Sequence, residues 1–186
     1  MGVKERRERQ KETLRREILD AARDLFVSEG FENVSMRKVA DRIEYSPTTI
    51  YLYFKDKAEL LHEICEDTFA QLIATLEGIN QSGGDPVERL ERAMRAYVWF
   101  GLSHPNHYRL TFMMPHSHDD LPDGFVLEES LGGKAFGMLR SVIAECVDAG
   151  LFRPADPDLI SQSLWCAIHG VTSLLIADGT FPWVDR

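Results

Sequence analysis

Hydroxyl side chains crowd one short stretch of this sequence. Ser46, Thr48, Thr49, Tyr51 and Tyr53 fall within eight residues, with Ser35 and Arg37 upstream and Lys57 downstream. Such groups donate and accept hydrogen bonds without a partner base to activate them, so the chemistry on offer is recognition rather than bond breaking. No phosphate-cradling glycine loop, nucleophile elbow or zinc-protease motif occurs in the chain. The sequence therefore gives little support to an enzyme, and no catalytic residue or cofactor is assigned. His104, His107, His116 and His118, with Asp119 and Asp120, are the densest group of metal-binding types. Their spacing fits no standard site, so no metal is expected.

The elements that would hold the hydroxyls are legible around them. Ser35 opens one helical phrase, in which Met36, Val39, Ala40 and Ile43 repeat at helical spacing. Glu44 and Tyr45 make a turn. Ser46 is an N-cap residue and Pro47 sits at the first helical position, where its missing N–H costs nothing. The second phrase runs from Pro47 to Phe54 and buries Ile50 and Phe54. Asp56 caps a further helix beginning at Lys57. Two short helices joined by a tight turn, the second displaying hydroxyls, read as a helix-turn-helix.

The chain has 186 residues, 44% hydrophobic and 27% charged, which suits a globular protein with one sizeable core or two small ones. No run approaches the roughly 18 consecutive apolar residues of a membrane span, so no membrane partner is expected. Three scattered cysteines show neither a disulfide framework nor zinc spacing, which points to the cytoplasm. The net charge of −9 conceals an asymmetry. Residues 1–57 carry 13 Lys or Arg against 11 Asp or Glu, and the remainder carries 8 against 19. A polyanion would meet the N-terminal third.

The run ILDAARDLFVSEGFENVSMRKVADRIEYSPTTIYLYFKDKAELL closely resembles the DNA-binding domain of TetR/AcrR-type transcriptional regulators, over about residues 13–61. The resemblance rests on AA-x-x-LF in the first helix, the Gly30–Phe31 turn, the capped second helix and the S-x-x-T-I-Y-x-Y-F-x-x-K run. It implies that Ser46, Pro47, Thr48 and Thr49 meet base edges. It implies phosphate contacts for Tyr51, Tyr53, Ser35, Arg37 and Lys57. Ser35 and Ser46 would be N-caps even without DNA. Two positions depart from the family. Glu44–Tyr45 stands where Gly and a small β-branched residue are common, and Glu44 is less suited than Gly to a left-handed conformation. Leu52 occupies a position that is commonly polar; it either touches a thymine methyl or packs against the second helix.

The remaining sequence reads as helices throughout. Residues 1–12 form a basic arm, partly helical and frayed, which either follows DNA through Lys4, Arg6, Arg7, Arg9 and Lys11 or is a solvated terminus. The first helix spans roughly Thr13 to Glu29. A long helix from Lys57 to about Ile79, another from about Pro86 to Ser103, and a short one from Pro105 to about Met114 follow. A polar loop covers 115–124, and two long helices end near Ala149 and Ala177. The last is apolar nearly all round and needs covering on two sides, one by its own domain and one by a second copy. Leu139, Ile143 and Val147, with Leu164, Ile168, Val171 and Leu175, are the expected dimer contacts. Dimerisation through these helices is also implied by the family.

An effector pocket is implied by the family, not by a motif. Tyr97, Trp99, Phe100, Tyr108, Phe112, Met113 and Phe136 are the candidates to line it, although ordinary cores use the same residues. Trp165, His169 and Gly170 resemble the Trp-x-x-x-His-Gly signature of one C-terminal subclass. Trp165 and His169 line the pocket or the dimer seam, or His169 is a satisfied core histidine.

The expectation is an all-α chain: arm 1–12, DNA-binding domain 13–61, and ligand-binding and dimerisation domain 62–186. Its function is that of a homodimeric repressor of double-stranded DNA at a near-palindromic operator, released by an unidentified small-molecule effector. Alternatives are an activator or ligand-independent regulator on the same fold and, remotely, a helical interaction protein that binds no DNA.

Overall fold

The computed structural model describes residues 2–114 and 125–178, which are helical with no strand among them. The helices are α1 (Val3–Glu29), α2 (Met36–Arg42), α3 (Pro47–Tyr51), α4 (Lys57–Gln81), α5 (Pro86–Ser103), α6 (Pro105–Tyr108), α7 (Leu131–Asp148) and α8 (Pro157–Ala177). The all-α expectation holds. The chain divides into two compact units. The first comprises Met1–Cys65 and Arg109–Phe125; the second comprises Glu66–Tyr108 and Val126–Arg186.

In the first unit, Ile18, Ala21, Ala22, Leu25 and Phe26 give α1 one buried face at spacings of three and four. Gly30, at φ 84, ends the helix and sends its N–H to the Phe26 carbonyl. Phe31 then stacks its ring 5.1 Å from that of Phe26. Val39, Ala40, Ile50, Phe54, Leu60 and Ile64 complete this core from α2, α3, the turn after it and the start of α4. So does Leu110, fully buried, from the π-helical turn Arg109–Met113 that prolongs α6. Residues expected as a frayed arm form the first three turns of α1. Their Glu, Arg, Lys and Gln side chains are strong helix formers, and Glu5 accepts the N–H of Gly2 at 2.9 Å.

In the second unit, Gly83 and Gly84 adopt positive φ and Asp85 caps α5 through the N–H groups of Val87 and Glu88. Leu90, Val142 and Ile143 form a small core, joined by Met94, Leu139, Phe152, Ile160 and Leu164. α5 and α8 meet closely at Gly101, where an added Cβ would lie 2.5 Å from Thr172 Cγ2. α7 begins at Leu131, behind a 3-10 turn at Leu127–Glu129. α8 has 21 residues and a window of mean hydropathy 1.4, enough by length and composition to cross a membrane. No unbroken apolar run of that length marks it in the sequence, because Ser161, Gln162, Ser163, His169, Thr172 and Ser173 interrupt the helix. A single helix of this kind is weak evidence for a span.

Candidate nucleic-acid interface

The helix-turn-helix is built by its caps. Ser35 Oγ accepts the N–H of Lys38 at 3.3 Å, starting α2. α2 closes in a Schellman motif, with Tyr45 N–H on the Ala40 carbonyl at 3.0 Å and Glu44 N–H on that of Asp41 at 3.3 Å. The motif requires a left-handed residue, and Glu44 supplies it at φ 60. The misfit expected at this turn is therefore present, and the hydrogen bonds of the motif hold it. Ser46 Oγ accepts the N–H of Thr49 at 3.2 Å and lies 2.9 Å from its hydroxyl, starting α3 behind Pro47. Ile50 and Phe54 anchor this segment inward. Asp56 Oδ1 accepts the N–H of Glu59 at 2.9 Å and starts α4.

The exposed surface of this element carries the expected hydroxyls. Ser35, Arg37, Ser46 and Thr48 are exposed, Tyr51 is 55% exposed, and Pro47, Thr49 and Tyr53 are half-buried. Lys57 is more tied down than its sequence suggested. Its ammonium donates to the Phe31 carbonyl at 3.0 Å, sits 3.6 Å from Glu32 and lies over the Phe31 ring. Leu52 is 77% exposed, so the reading that packs it against α2 is corrected. α3 is short, ending at Tyr51, so Leu52 falls on the capping turn and faces out. Tyr45, read from the sequence as a turn residue and not as a DNA contact, is also exposed before α3.

The second unit holds a chain of polar aromatic groups. The hydroxyls of Tyr97 and Tyr108 are 3.1 Å apart, and that of Tyr108 is 2.8 Å from His169 Nδ1. On the far side of the ring, Nε2 is 3.3 Å from Ser173 Oγ, whose own O–H donates to the His169 carbonyl at 2.6 Å. Ser173 thus accepts at its oxygen, which assigns the ring proton to Nε2 and leaves Nδ1 to accept from Tyr108. Trp165 stacks on His169 with centroids 5.5 Å apart. Burial pushes both tyrosine hydroxyls above their usual range and pushes His169 below 6.5.

Of the residues named for a pocket, Tyr97, Tyr108, Trp165 and His169 come together, and Phe100 is buried on the same helix as Tyr97. Trp99 is 72% exposed, a correction that follows from helical pitch: it lies two residues from Tyr97 and so on another face. Phe112 and Met113 belong to the first unit, and Phe136 is half-buried on α7. Of the expected dimer contacts, one needs correcting. Ile143 is fully buried in its own chain, with Leu139 and Leu164 packed on it. Val147, Ile168 and Leu175 are half-buried, and of the seven Val171 alone is exposed. Both helices have two apolar seams, and periodicity does not say which one faces the home domain. Among the six histidine-cluster residues, His116, His118, Asp119 and Asp120 lie outside the described residues; His104 and His107 stack edge-on at 5.8 Å.

Known proteins share this arrangement. A family model described as bacterial regulatory proteins of the tetR family matches residues 18–64, and one for a tetracyclin repressor-like C-terminal domain matches 90–186. The chain is 28% identical over 153 residues to the HTH-type transcriptional repressor NicS of Pseudomonas putida, covering 79% of this chain and 69% of NicS. It is 34% identical over 90 residues to the repressor KstR of Mycolicibacterium smegmatis, covering 48% of this chain and 42% of KstR. An uncharacterized HTH-type transcriptional regulator of Haemophilus influenzae is 41% identical over 67 residues, 36% of each chain. The match thus spans less than half the length of two of these relatives. The structure of the TetR family regulator PfmR from Thermus thermophilus superposes with a TM-score of 0.74 at 24% identity, covering 88% of each chain, and so shares the fold. With models matching both its N-terminal and its C-terminal parts, the chain belongs to the tetR family of bacterial regulatory proteins, which are helix-turn-helix transcriptional regulators.

Proposed function

We propose that the protein is a cytoplasmic, homodimeric repressor that binds a near-palindromic DNA operator and releases it when a small molecule occupies the C-terminal domain. The observation that carries this is the capped start of α3, where Ser46, Pro47, Thr48 and Thr49 project from a rigid helix end inside the one region of net positive charge. In this reading each α3 enters a major groove, Ser35, Arg37, Tyr51, Tyr53 and Lys57 hold the phosphates, and Leu52 meets a thymine methyl. NicS and KstR are both named as repressors, which supports the sign of regulation.

The dimer reading rests on α8. Its outward face carries Leu159, Cys166 and Leu174, with the small residues Ser163, Ala167 and Gly170 between them. A Cβ added at Gly170 would meet open space, so that face is clear for a second helix. The inducer reading rests on Tyr97, Tyr108, Trp165 and His169, and the Trp165–His169–Gly170 run supports placing this half in the Trp-x-x-x-His-Gly subclass. An apolar or cationic effector fits best, since Arg95 and Arg140 are engaged at the surface by Glu91 and Asp158. Effector binding would tilt α4 and alter the spacing of the two α3 helices. The regulator acts without a catalytic residue, cofactor or metal.

A gel-shift assay on DNA flanking its own gene tests the reading, with a salt-sensitive, sequence-specific shift expected. Its absence at every protein concentration removes the proposal. Thr49→Ala should weaken specific binding more than non-specific binding. A monomeric mass at micromolar protein removes the dimer. An activator is the second reading, and a reporter transcribed more strongly in the presence of the protein would select it.

A further inference from the structure

The first three turns of α1 pack on nothing in their own unit: residues 4–13 are all exposed. They are also outside the match to the tetR family, which starts at residue 18. These turns form one wall of an open groove of about 1000 Å³, whose other wall includes Tyr45 and Tyr53 from either side of α3. Arg6, Arg7, Arg9 and Lys11 all line it, against a single carboxylate, Glu17. None of the four cations has an ion-pair partner among the described residues. The acidic residues of the same turns are elsewhere. Glu5, Glu8 and Glu12 recur at spacings of three and four, and at about 100° per residue they share the side of the helix opposite the groove. Glu5 and Glu12 are moreover engaged there, by the Gly2 N–H and by Arg16.

Such segregation has no role in folding, since neither face touches a core. It produces a cationic groove directly beside the recognition helix. We propose that this groove is a second DNA cradle, which grips the sugar–phosphate backbone of the duplex flanking the site that α3 reads. The inference rests on the DNA-binding function proposed above and adds a separate, sequence-blind part to it. The ten exposed residues extend about 15 Å along the helix axis, enough to run beside about four phosphates of one strand. Duplex DNA is the occupant favoured by continuity with α3, by the sign of the charge and by the length of the cationic wall.

The test compares the wild type with Arg6→Gln/Arg7→Gln/Arg9→Gln/Lys11→Gln. Affinity is measured over a series of salt concentrations for a random-sequence duplex and for a duplex that the wild type selects from a random library. Each phosphate contact contributes about 0.9 to the slope of log affinity against log salt. The quadruple variant should lower that slope by about 2 to 4 for each subunit bound and weaken both duplexes by a similar factor. Replacing the three arginines by lysine should restore the slope, and Glu5→Gln/Glu8→Gln/Glu12→Gln should leave it unchanged. An unchanged slope in the quadruple variant, with its helical circular dichroism intact, overturns the inference. So does an equal change in the glutamate variant, which would show a long-range charge effect with no groove. Failure of the wild type to select any sequence would count against the proposed function alone, because the random-duplex slopes are read without an operator.

Discussion

The Tyr108 hydroxyl stands 2.8 Å from His169 Nδ1, linking the end of α6 to the middle of α8. With Tyr97 on one side and Ser173 on the other, the bond is the centre of a continuous polar chain. Tyr108→Phe removes a donor from His169 and a partner from Tyr97 while keeping the ring. Stability should fall by about 2 kcal/mol, the cost of leaving buried polar atoms without their hydrogen bond. A thermal melt should show a loss of about 4–8 °C.

The same chain should make stability depend on pH. Burial holds His169 below its ordinary 6.5, so the folded state resists protonation that the unfolded chain accepts. Stability from this group is complete above 6.5 and is lost as pH falls below that value toward the folded pKa. His169→Gln should flatten this part of the profile. Denaturant titrations between pH 7.5 and 5 should give a shallower dependence in the variant, by less than about 1.4 kcal/mol per pH unit, the limit for one proton. Parallel profiles would show that His169 does not titrate differently on folding.

Gly101 sets the approach of α5 to α8. A Cβ there would lie 2.5 Å from Thr172 Cγ2 and 2.9 Å from the Tyr108 ring, and neither neighbour is a flexible chain end. Gly101→Ala should cost about 1–3 kcal/mol despite alanine's higher helix propensity. Adding Thr172→Ser removes the nearer methyl and should recover part of the loss. A double-mutant cycle on denaturant midpoints would show this as a coupling of about 0.5 kcal/mol or more.

Among the described residues, two helices close in Schellman motifs, with different residues at the same position. α7 ends on Gly150 at φ 70, with Leu151 N–H on the Cys146 carbonyl; α2 ends on Glu44 at φ 60. A left-handed non-glycine residue costs roughly 1–2 kcal/mol, partly offset by the added chain entropy of glycine. Glu44→Gly should therefore raise stability by about 0.5–1 kcal/mol, read from the denaturant midpoint. A loss would mean that the Glu44 side chain does more than occupy the turn.

Local signals were the legible ones. Ser35, Ser46 and Asp56 each announced a helix start and each caps one, because N-capping is decided within four residues. The hydroxyl surface of α3 could be read for the same reason. What sequence reading missed is non-local. Nothing adjacent to Leu110 says that it completes the core of a helix-turn-helix some fifty residues earlier. Nor does the pattern of α7, with its two apolar seams, say that Ile143 faces inward. The groove was hidden for a related reason. Arg6 and Glu5 are neighbours in sequence, and their separation onto opposite sides exists only once the segment is a helix.

The placement of Leu110 also limits how this protein can be taken apart. The boundary between the compact units falls inside α4, between Cys65 and Glu66, with no linker to cut. The first unit then borrows Arg109–Phe125 from much later in the chain. A fragment ending at residue 65 would carry the recognition helix but leave vacant the site that Leu110 fills, a defect of about 3 kcal/mol by analogy with buried leucine truncations. Grafting this reading head onto another scaffold therefore means moving two separated segments together, and a chimera joined at a single point in α4 would inherit the hole.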